Sequence, residues 1–371
     1  MNITCDREKL LYAVQLAGSV VPARSPKPIL ENIKLEVGPE AMTVMATDLE
    51  VAVRTELSPL ETAAPGSAVI PMRQLAAVLK ESSEEKIRLE SDAARVQVYA
   101  GRSEFQFPTQ NPDEYPTVSP FQEDKYHQVP ARFFRELIRR TVFATETEST
   151  RYALGGVLFE LYPTEMVAVA TDGRRLARQQ GPAESVGGHV TSGHTIVPSY
   201  AIQLMERAVG GNEENVQLAV RENDVLLRSG RTTVYSRLLE GRFPEWRQVF
   251  PKVGEGTPVE MTVGPLLAAV RQAAIVTSGD RRGVEFTFAE GTLTLAGHGA
   301  EQGDSHVEMP VAYEGEQIQV KLDPRYMIDF LRVLDPEATF TLHLRGPTTA
   351  LLCTTEDGYA YMIMPLSKKT A

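Results

Sequence analysis

A chain of 371 residues, 42% hydrophobic and 23% charged, is too long for one ordinary core, and two or three domains are expected. No apolar run reaches the roughly 18 residues needed to span a bilayer, and the opening MNITCDREKLL lacks a basic segment followed by an apolar one. Cys5 and Cys353 stand in unrelated contexts, against a disulfide framework, so a cytoplasmic protein is expected; the net charge of −11 argues against a uniformly phosphate-binding surface while leaving room for a local basic face.

Taken in chain order, DREKLLYAVQLAG from Asp6 carries apolar residues at spacings of three and four, which predicts a helix. ENIKLEV (31–37) and AMTVMATD, ending at Asp48, read as strands. AVIPMRQLAAVLK reads as a short strand entering a second helix, and RVQVYAGRSEFQF as alternating strands. Polar, turn-rich residues 119–128 mark a boundary. The order then returns with PARFFRELIRRTVFA from Pro130, GGVLFEL (155–161), MVAVATDG, TIVPSYAIQLMER and DVLLRSGRTTVYSRL. After a second boundary at 250–258 it returns again, as GPLLAAVRQAAIV from Gly264, GVEFTF (283–288), TLTLAGHG, QVKLDPRYMIDFLR and ALLCTTEDGYAYMIM.

Asp48 answers to Asp172 and Gly101 to Gly230, a period on the order of 125 residues, far beyond the 20–50 of a solenoid. A triplicated domain is therefore expected, with units at 1–122, 126–252 and 255–371. Each unit itself reads as two similar halves of one helix and one antiparallel sheet. The class is α+β, with sheets outside and two helices on one side.

The stretch ATDGRRLA (170–177) could open a phosphate or metal site, or could be a strand end and a turn. The chain has neither a Gly-x-x-x-x-Gly-Lys phosphate loop nor a Gly-x-Ser-x-Gly nucleophile elbow. Of its 6 histidines, His298 and His306 have Asp304 between them, and their spacing suits no standard zinc site. Asp48 and Asp172 occupy equivalent places, as a shared turn predicts, because Asp accepts local backbone hydrogen bonds there. No catalytic residue, metal or cofactor is expected.

The basic residues are more informative. Aligned second helices place Lys80, Arg207 and Arg332 together, seven residues after Arg73, Tyr200 and Arg325 and thus on the same helical face. RFFRELIRR adds Arg132, Arg135, Arg139 and Arg140 against one Glu136. Recurrence across copies favours a shared positive face over isolated solvated charges.

PILENIKLEV after Arg24, RYALGGVLFE (151–160), ATDGRRLA, GRFPEW (241–246) and YMIMPL (361–366), in this order on a triplicated acidic chain, resemble the bacterial DNA polymerase III beta subunit family, the sliding clamps. The resemblance covers essentially the whole chain. It implies the DNA clamp fold and a closed ring, a head-to-tail homodimer of six domains around double-stranded DNA, with helices lining the hole. Basic helices then face DNA while the acidic exterior carries the net charge. An encircled duplex cannot leave, yet weak phosphate contacts let the ring slide. The family is non-catalytic.

The resemblance also implies a groove between the second and third domains for short apolar peptides of the DNA polymerase III alpha subunit, the clamp loader and other polymerases or repair proteins. Carried onto this chain, its wall is Arg151, Leu154, Thr171, Gly173, Arg174, Arg175, Leu176, Pro244 and Val249, closed by Met362, Met364, Pro365 and Leu366 with Tyr326 nearby. Methionine, leucine and valine suit an adaptable pocket, and arginines can pair with carboxylates or carbonyls at its rim. The first copy, ATDLEVAV, lacks the arginines and keeps the fold without the groove. The DNA-facing set is Arg24, Arg73, Lys80, Tyr152, Arg207, Arg325 and Arg332; the dimer contact is Phe105 and Phe107 against Ile275 and Val276. Two features depart from the family: Arg174 stands where many relatives have histidine, and SKKTA extends the chain past Leu366.

Overall fold

The computed structural model describes residues 1–146, 152–191, 195–211, 214–251, 254–277, 283–299 and 302–366. Each repeat contributes two helices: α1 (Arg7–Gly18) and α2 (Met72–Glu81), α3 (Ala131–Thr141) and α4 (Ser199–Ala208), then α6 (Val263–Ala273) and α7 (Pro324–Arg332). Between the second and third pairs lies a single turn, α5 (Trp246–Val249). Helix starts follow local chemistry. The Asp6 side chain accepts from Lys9 N at 3.0 Å, and Asp323 caps α7 through Arg325 N at 3.0 Å ahead of Pro324.

Apolar helix faces, such as Leu10, Ala13, Val14 and Ala17 of α1 or Phe134, Leu137 and Ile138 of α3, merge with the inward residues of the sheets into one core running through all three repeats. Among the described residues, four antiparallel sheets of five, nine, eight and four strands cover it. The sequence reading omitted the short strand ahead of each first helix, at Asn2–Asp6, Tyr126–Pro130 and Thr257–Thr262. These segments span only five or six residues, too few for periodicity to separate them from the helix that follows.

Nor did it anticipate that two of the sheets run across repeats. In the nine-stranded sheet, Val51–Leu57 of the first repeat pairs with Thr232–Arg237 of the second, Ala52 opposite Tyr235 and Val53 opposite Val234. In the eight-stranded sheet, Arg175–Pro182 of the second pairs with Tyr359–Ile363 of the third, Leu176 opposite Met362 and Ala177 opposite Tyr361. The same two strands of the unit meet each time: the one after the Thr-Asp turn, and the last one. Their remaining copies, Gly303–Pro310 in the four-stranded sheet and Ser103–Pro108 in the five-stranded sheet, are edge strands with one unpaired side.

Candidate functional site

The Thr-Asp turn is built alike in two repeats. Asp48 Oδ1 accepts from Glu50 N and Val51 N (2.9 and 2.7 Å), and Asp172 Oδ1 from Arg174 N and Arg175 N (2.9 and 3.0 Å). Thr47 and Thr171 donate their hydroxyls to the carbonyls of Val51 and Arg175. The residue after each aspartate has positive φ, 81° at Leu49 and 85° at Gly173. Glycine takes that conformation without strain; leucine does not. These carboxylates are turn formers, as their equivalence predicts.

The second copy adds Arg175, whose guanidinium is buried at the joint between the second and third repeats. Its Nε meets Asp172 Oδ2 at 2.9 Å, Nη1 meets Asp329 Oδ2 at 2.7 Å, and Nη2 donates to the Phe143 carbonyl at 2.7 Å. It also lies over the Tyr326 ring, 4.6 Å from the centroid. Each of its three nitrogens is thus bonded inside the chain, and Arg175 joins two domains where the sequence alone places it at a groove rim. Arg140 is likewise buried, bonded to Glu136, Gln179 and Asp357 and set over Tyr359, so it leaves the positive stripe proposed for RFFRELIRR. Both arginines sit where a helix or strand meets the neighbouring repeat, and no one-repeat periodicity reports that.

On the outer face of the eight-stranded sheet, Leu176 and Met362 are neighbours within a separate apolar cluster containing Leu158, Val169, Ile196, Phe243 and Trp246. Trp246 is anchored by its Nε1 to Glu160 Oε1 (3.2 Å) and packs edge-on against Phe250 at 5.9 Å. Above this floor Pro244 is exposed, and Val249 and Met364 are 61% and 42% exposed. Leu154, Thr171 and Tyr326 are buried, Arg174 and Gly173 are exposed, and Pro365 and Leu366 are half-buried. The C-terminal segment is held by Met364 N to the Arg174 carbonyl (2.9 Å) and Leu366 N to the Lys321 carbonyl (2.8 Å). Arg151, the Tyr152 side chain and the terminal SKKTA lie outside the described residues. At the matching place on the first joint, Met45 and Ala52 pack with Val118 of the chain's own linker and with Tyr235. There the outer face is covered by the chain itself, and Val51 stands in place of Arg175.

Arg24, Arg73, Lys80, Arg207, Arg325 and Arg332 are all exposed. Arg325 is drawn back onto its own cap, Nη2 to Asp323 Oδ2 at 2.6 Å, and Arg139 onto Glu206 at 2.6 Å. Arg207 reaches Ser19 Oγ at 3.3 Å, while α1 and α4 touch across the first joint. Among the described residues, Arg24, Arg73, Lys80, Arg132, Arg135, Arg207 and Arg332 form no ion pair with a carboxylate.

Phe105 is 38% exposed on its edge strand, whereas Phe107 packs against the first-repeat core. Ile275, just past α6, is 77% exposed. Beside Phe105 lies a cleft of about 380 Å³ lined by Ala77, Val78, Glu81 and Ser103. His298 and His306 pair with Asp304 and Glu308 (2.9 Å each) along the Gly303–Pro310 edge. Among the described residues no group of three or more His, Cys, Asp or Glu could hold a metal ion, and no helix is long and apolar enough to cross a membrane.

A buried pair in the second repeat accounts for two other histidines. His127 Nε2 lies 3.0 Å from the Tyr162 carbonyl, the two Nδ1 atoms are 2.7 Å apart, and His189 Nε2 accepts from Val220 N at 3.1 Å. His189 Nε2 is equally close, at 3.1 Å, to the Val220 carbonyl, so the same ring nitrogen faces both a donor and an acceptor of Val220.

Residues 1–119, 128–245 and 247–367 match, in order, the N-terminal, central and C-terminal domains of the DNA polymerase III beta subunit. The chain is 30% identical to the beta sliding clamp of Pseudomonas putida, across 99% of this chain and 100% of that protein. It is 28% identical to the beta sliding clamp of Escherichia coli, with the same coverage. The crystal structure of a Pseudomonas aeruginosa sliding clamp bound to griselimycin superposes with a TM-score of 0.92 at 28% identity, over 99% of this chain and 100% of that one. With its three repeats, its shared sheets and a match to each of the three domains, this chain belongs to the DNA polymerase III beta subunit family.

Proposed function

We propose that the protein is a DNA sliding clamp, a non-catalytic ring that encircles duplex DNA and tethers replicative and repair polymerases in the bacterial cytoplasm. One observation carries the reading: the same strand pair joins repeats one and two and repeats two and three, and its two unused halves are the free edges Ser103–Pro108 and Gly303–Pro310. A head-to-tail contact of this kind closes into a ring when copies repeat it. The family resemblance supplies the number, two chains and six domains.

The second joint supports the proposed contact residues. Phe143, two residues past α3, lies against Tyr361, the third residue of its strand, at 5.6 Å between centroids. Ile275 stands two residues past α6, and Phe105 is third in Ser103–Pro108. Ile275 would therefore enter the cleft beside Phe105 of a second copy, with Val276 and Phe107 flanking it.

Within the ring, Arg24, Arg73, Lys80, Arg207, Arg325 and Arg332 face the duplex and hold it by sequence-independent phosphate contacts. Partner peptides lie on the floor formed by Leu176 and Met362, between Val249, Pro244 and Leu154 on one side and Met364, Pro365 and Leu366 on the other. Arg174 and Gly173 form the polar rim, and Thr171, Arg175 and Tyr326 support it from beneath. Primer extension on circular single-stranded DNA tests this: added clamp and loader should lengthen the product of each polymerase binding event, and the Ile275→Asp variant should not. Equal product lengths with and without the protein would refute it.

A further inference from the structure

The two internal joints fix the register of the joint between copies. After the turn, Val53 faces Ala46, Ala177 faces Ala170 and Ser305 faces Gly297, each partner pointing into its own core. Val53, Ala177 and Ser305 are therefore equivalent. On the last strand Val234 faces Leu227, Tyr361 faces Cys353 and Phe105 faces Val98, which makes Val234, Tyr361 and Phe105 equivalent. Both internal joints set the first kind of residue opposite the second. The same rule places Ser305 opposite Phe105 of a second copy, Asp304 opposite Gln106, and His306 opposite Glu104. Resting on the head-to-tail reading, we propose that His306 and Glu104 of the adjoining copy form a proton-dependent ion pair that tunes closure of the ring.

Two observations favour this assignment. The residue equivalent to His306 is Arg54 in the first joint, opposite Thr233, and Arg178 in the second, opposite Ala360. Both permanent joints thus carry a cation that cannot discharge; the joint that must open carries histidine, whose charge changes between pH 5 and 8. The surroundings are also acidic. On its own strand His306 Nε2 meets Glu308 Oε1 at 2.9 Å, and Asp304 stands two residues away, paired with His298 of the neighbouring strand. In its own sheet His306 faces the uncharged Ala296. From the second copy come Glu104, with Tyr99 beside it in the ladder, and Arg102 at the hairpin. Glu104 has no cationic partner within its own chain among the described residues; Gln97 Nε2 reaches it at 3.4 Å. Three carboxylates thus converge where His298 and His306 supply the cations from the Gly303–Pro310 side. When His306 loses its proton, Glu104 loses its partner across the joint.

Dimer formation would then take up protons, and so weaken as pH rises through the histidine range. Measured by dilution of labelled full-length protein, the dissociation constant should be larger at pH 8 than at pH 6. The expected size is up to about five-fold for each joint, and the square of that for a ring closed by two. His306→Arg should tighten the dimer at pH 8 and remove most of the pH dependence. His306→Gln should hold the weak value at both pH values. Glu104→Lys should weaken the wild-type dimer at pH 6, and adding His306→Glu should restore it. A wild-type constant equal at both pH values, or a His306→Arg dimer no tighter at pH 8, would overturn the pair while leaving the head-to-tail dimer intact. A protein monomeric at micromolar concentration at both pH values would overturn the head-to-tail reading itself, and the pair with it.

Discussion

Replacing Arg175 with methionine should loosen the joint between the second and third repeats without unfolding either. The arginine makes two ion pairs and a hydrogen bond to a carbonyl, at 2.7–2.9 Å, with its side chain 10% exposed. Removing one partner from a buried ion pair costs about 3–5 kcal/mol. The lower end applies here. Asp172 keeps its two backbone donors, Asp329 is already 32% exposed and can rehydrate, and methionine retains a contact on the Tyr326 ring. A loss of about 3 kcal/mol corresponds to an opening equilibrium roughly a hundred-fold more populated. Hydrogen exchange reads this directly: the amides of Tyr359–Ile363 that pair with Arg175–Pro182 should exchange about a hundred-fold faster. Those of Thr232–Arg237, at the other internal joint, should keep their rates. Exchange at Tyr359–Ile363 within three-fold of wild type would show that Arg175 does not hold the joint.

Four further outcomes follow from the same geometry. Ile275→Asp or Val276→Asp should shift the protein from dimer to monomer in light scattering, since the charge would be buried in an apolar contact; two fully dimeric variants at low concentration would misplace the interface. Met364→Ala with Leu366→Ala should weaken binding of a polymerase tail peptide several-fold or more while leaving dimer mass intact, and unchanged affinity would move the peptide site elsewhere. His127 should titrate below the ordinary histidine range, because burial opposes its charged form and the neighbouring His189 adds to this. Its stabilisation is full above about pH 6.5 and is lost as pH falls through the lowered value, because the unfolded chain takes up the proton first; an NMR titration of His127 at the ordinary value would contradict this. Neutralising Arg73, Lys80, Arg207 and Arg332 together should weaken DNA binding and flatten its salt dependence; an unchanged salt slope would place DNA elsewhere.

The helices and most strands were legible because each repeat displays its own periodicity, and the equivalence of Asp48 and Asp172 identified their turn. What connects the repeats was not legible. Arg175 and Asp329 are 154 residues apart, and Arg140 and Asp357 are 217 apart, with no local signal to link them. An arginine on a polar turn or an amphipathic helix reads as solvent-facing until a neighbouring repeat covers it. GRFPEW contained a usable sign: the chain's single tryptophan, placed between repeats, marks a segment that must pack on something. Trp246 and Phe250 pack in the apolar cluster that holds Leu176 and Met362. His298 and His306 were legible as a pair of residues but not as an edge, because strand register decides which residues face out.

The central claim is topological, and retention on DNA of different topology tests it most directly. Protein loaded onto nicked circular DNA in moderate salt should stay bound for as long as the circle is intact, and should be released when a single cut creates free ends. Neutralising the basic helix residues should change retention on the circle far less than it changes direct DNA binding. Equal retention on circles and on linear DNA with free ends would mean ordinary surface binding, and the ring would not be the means by which this protein holds DNA.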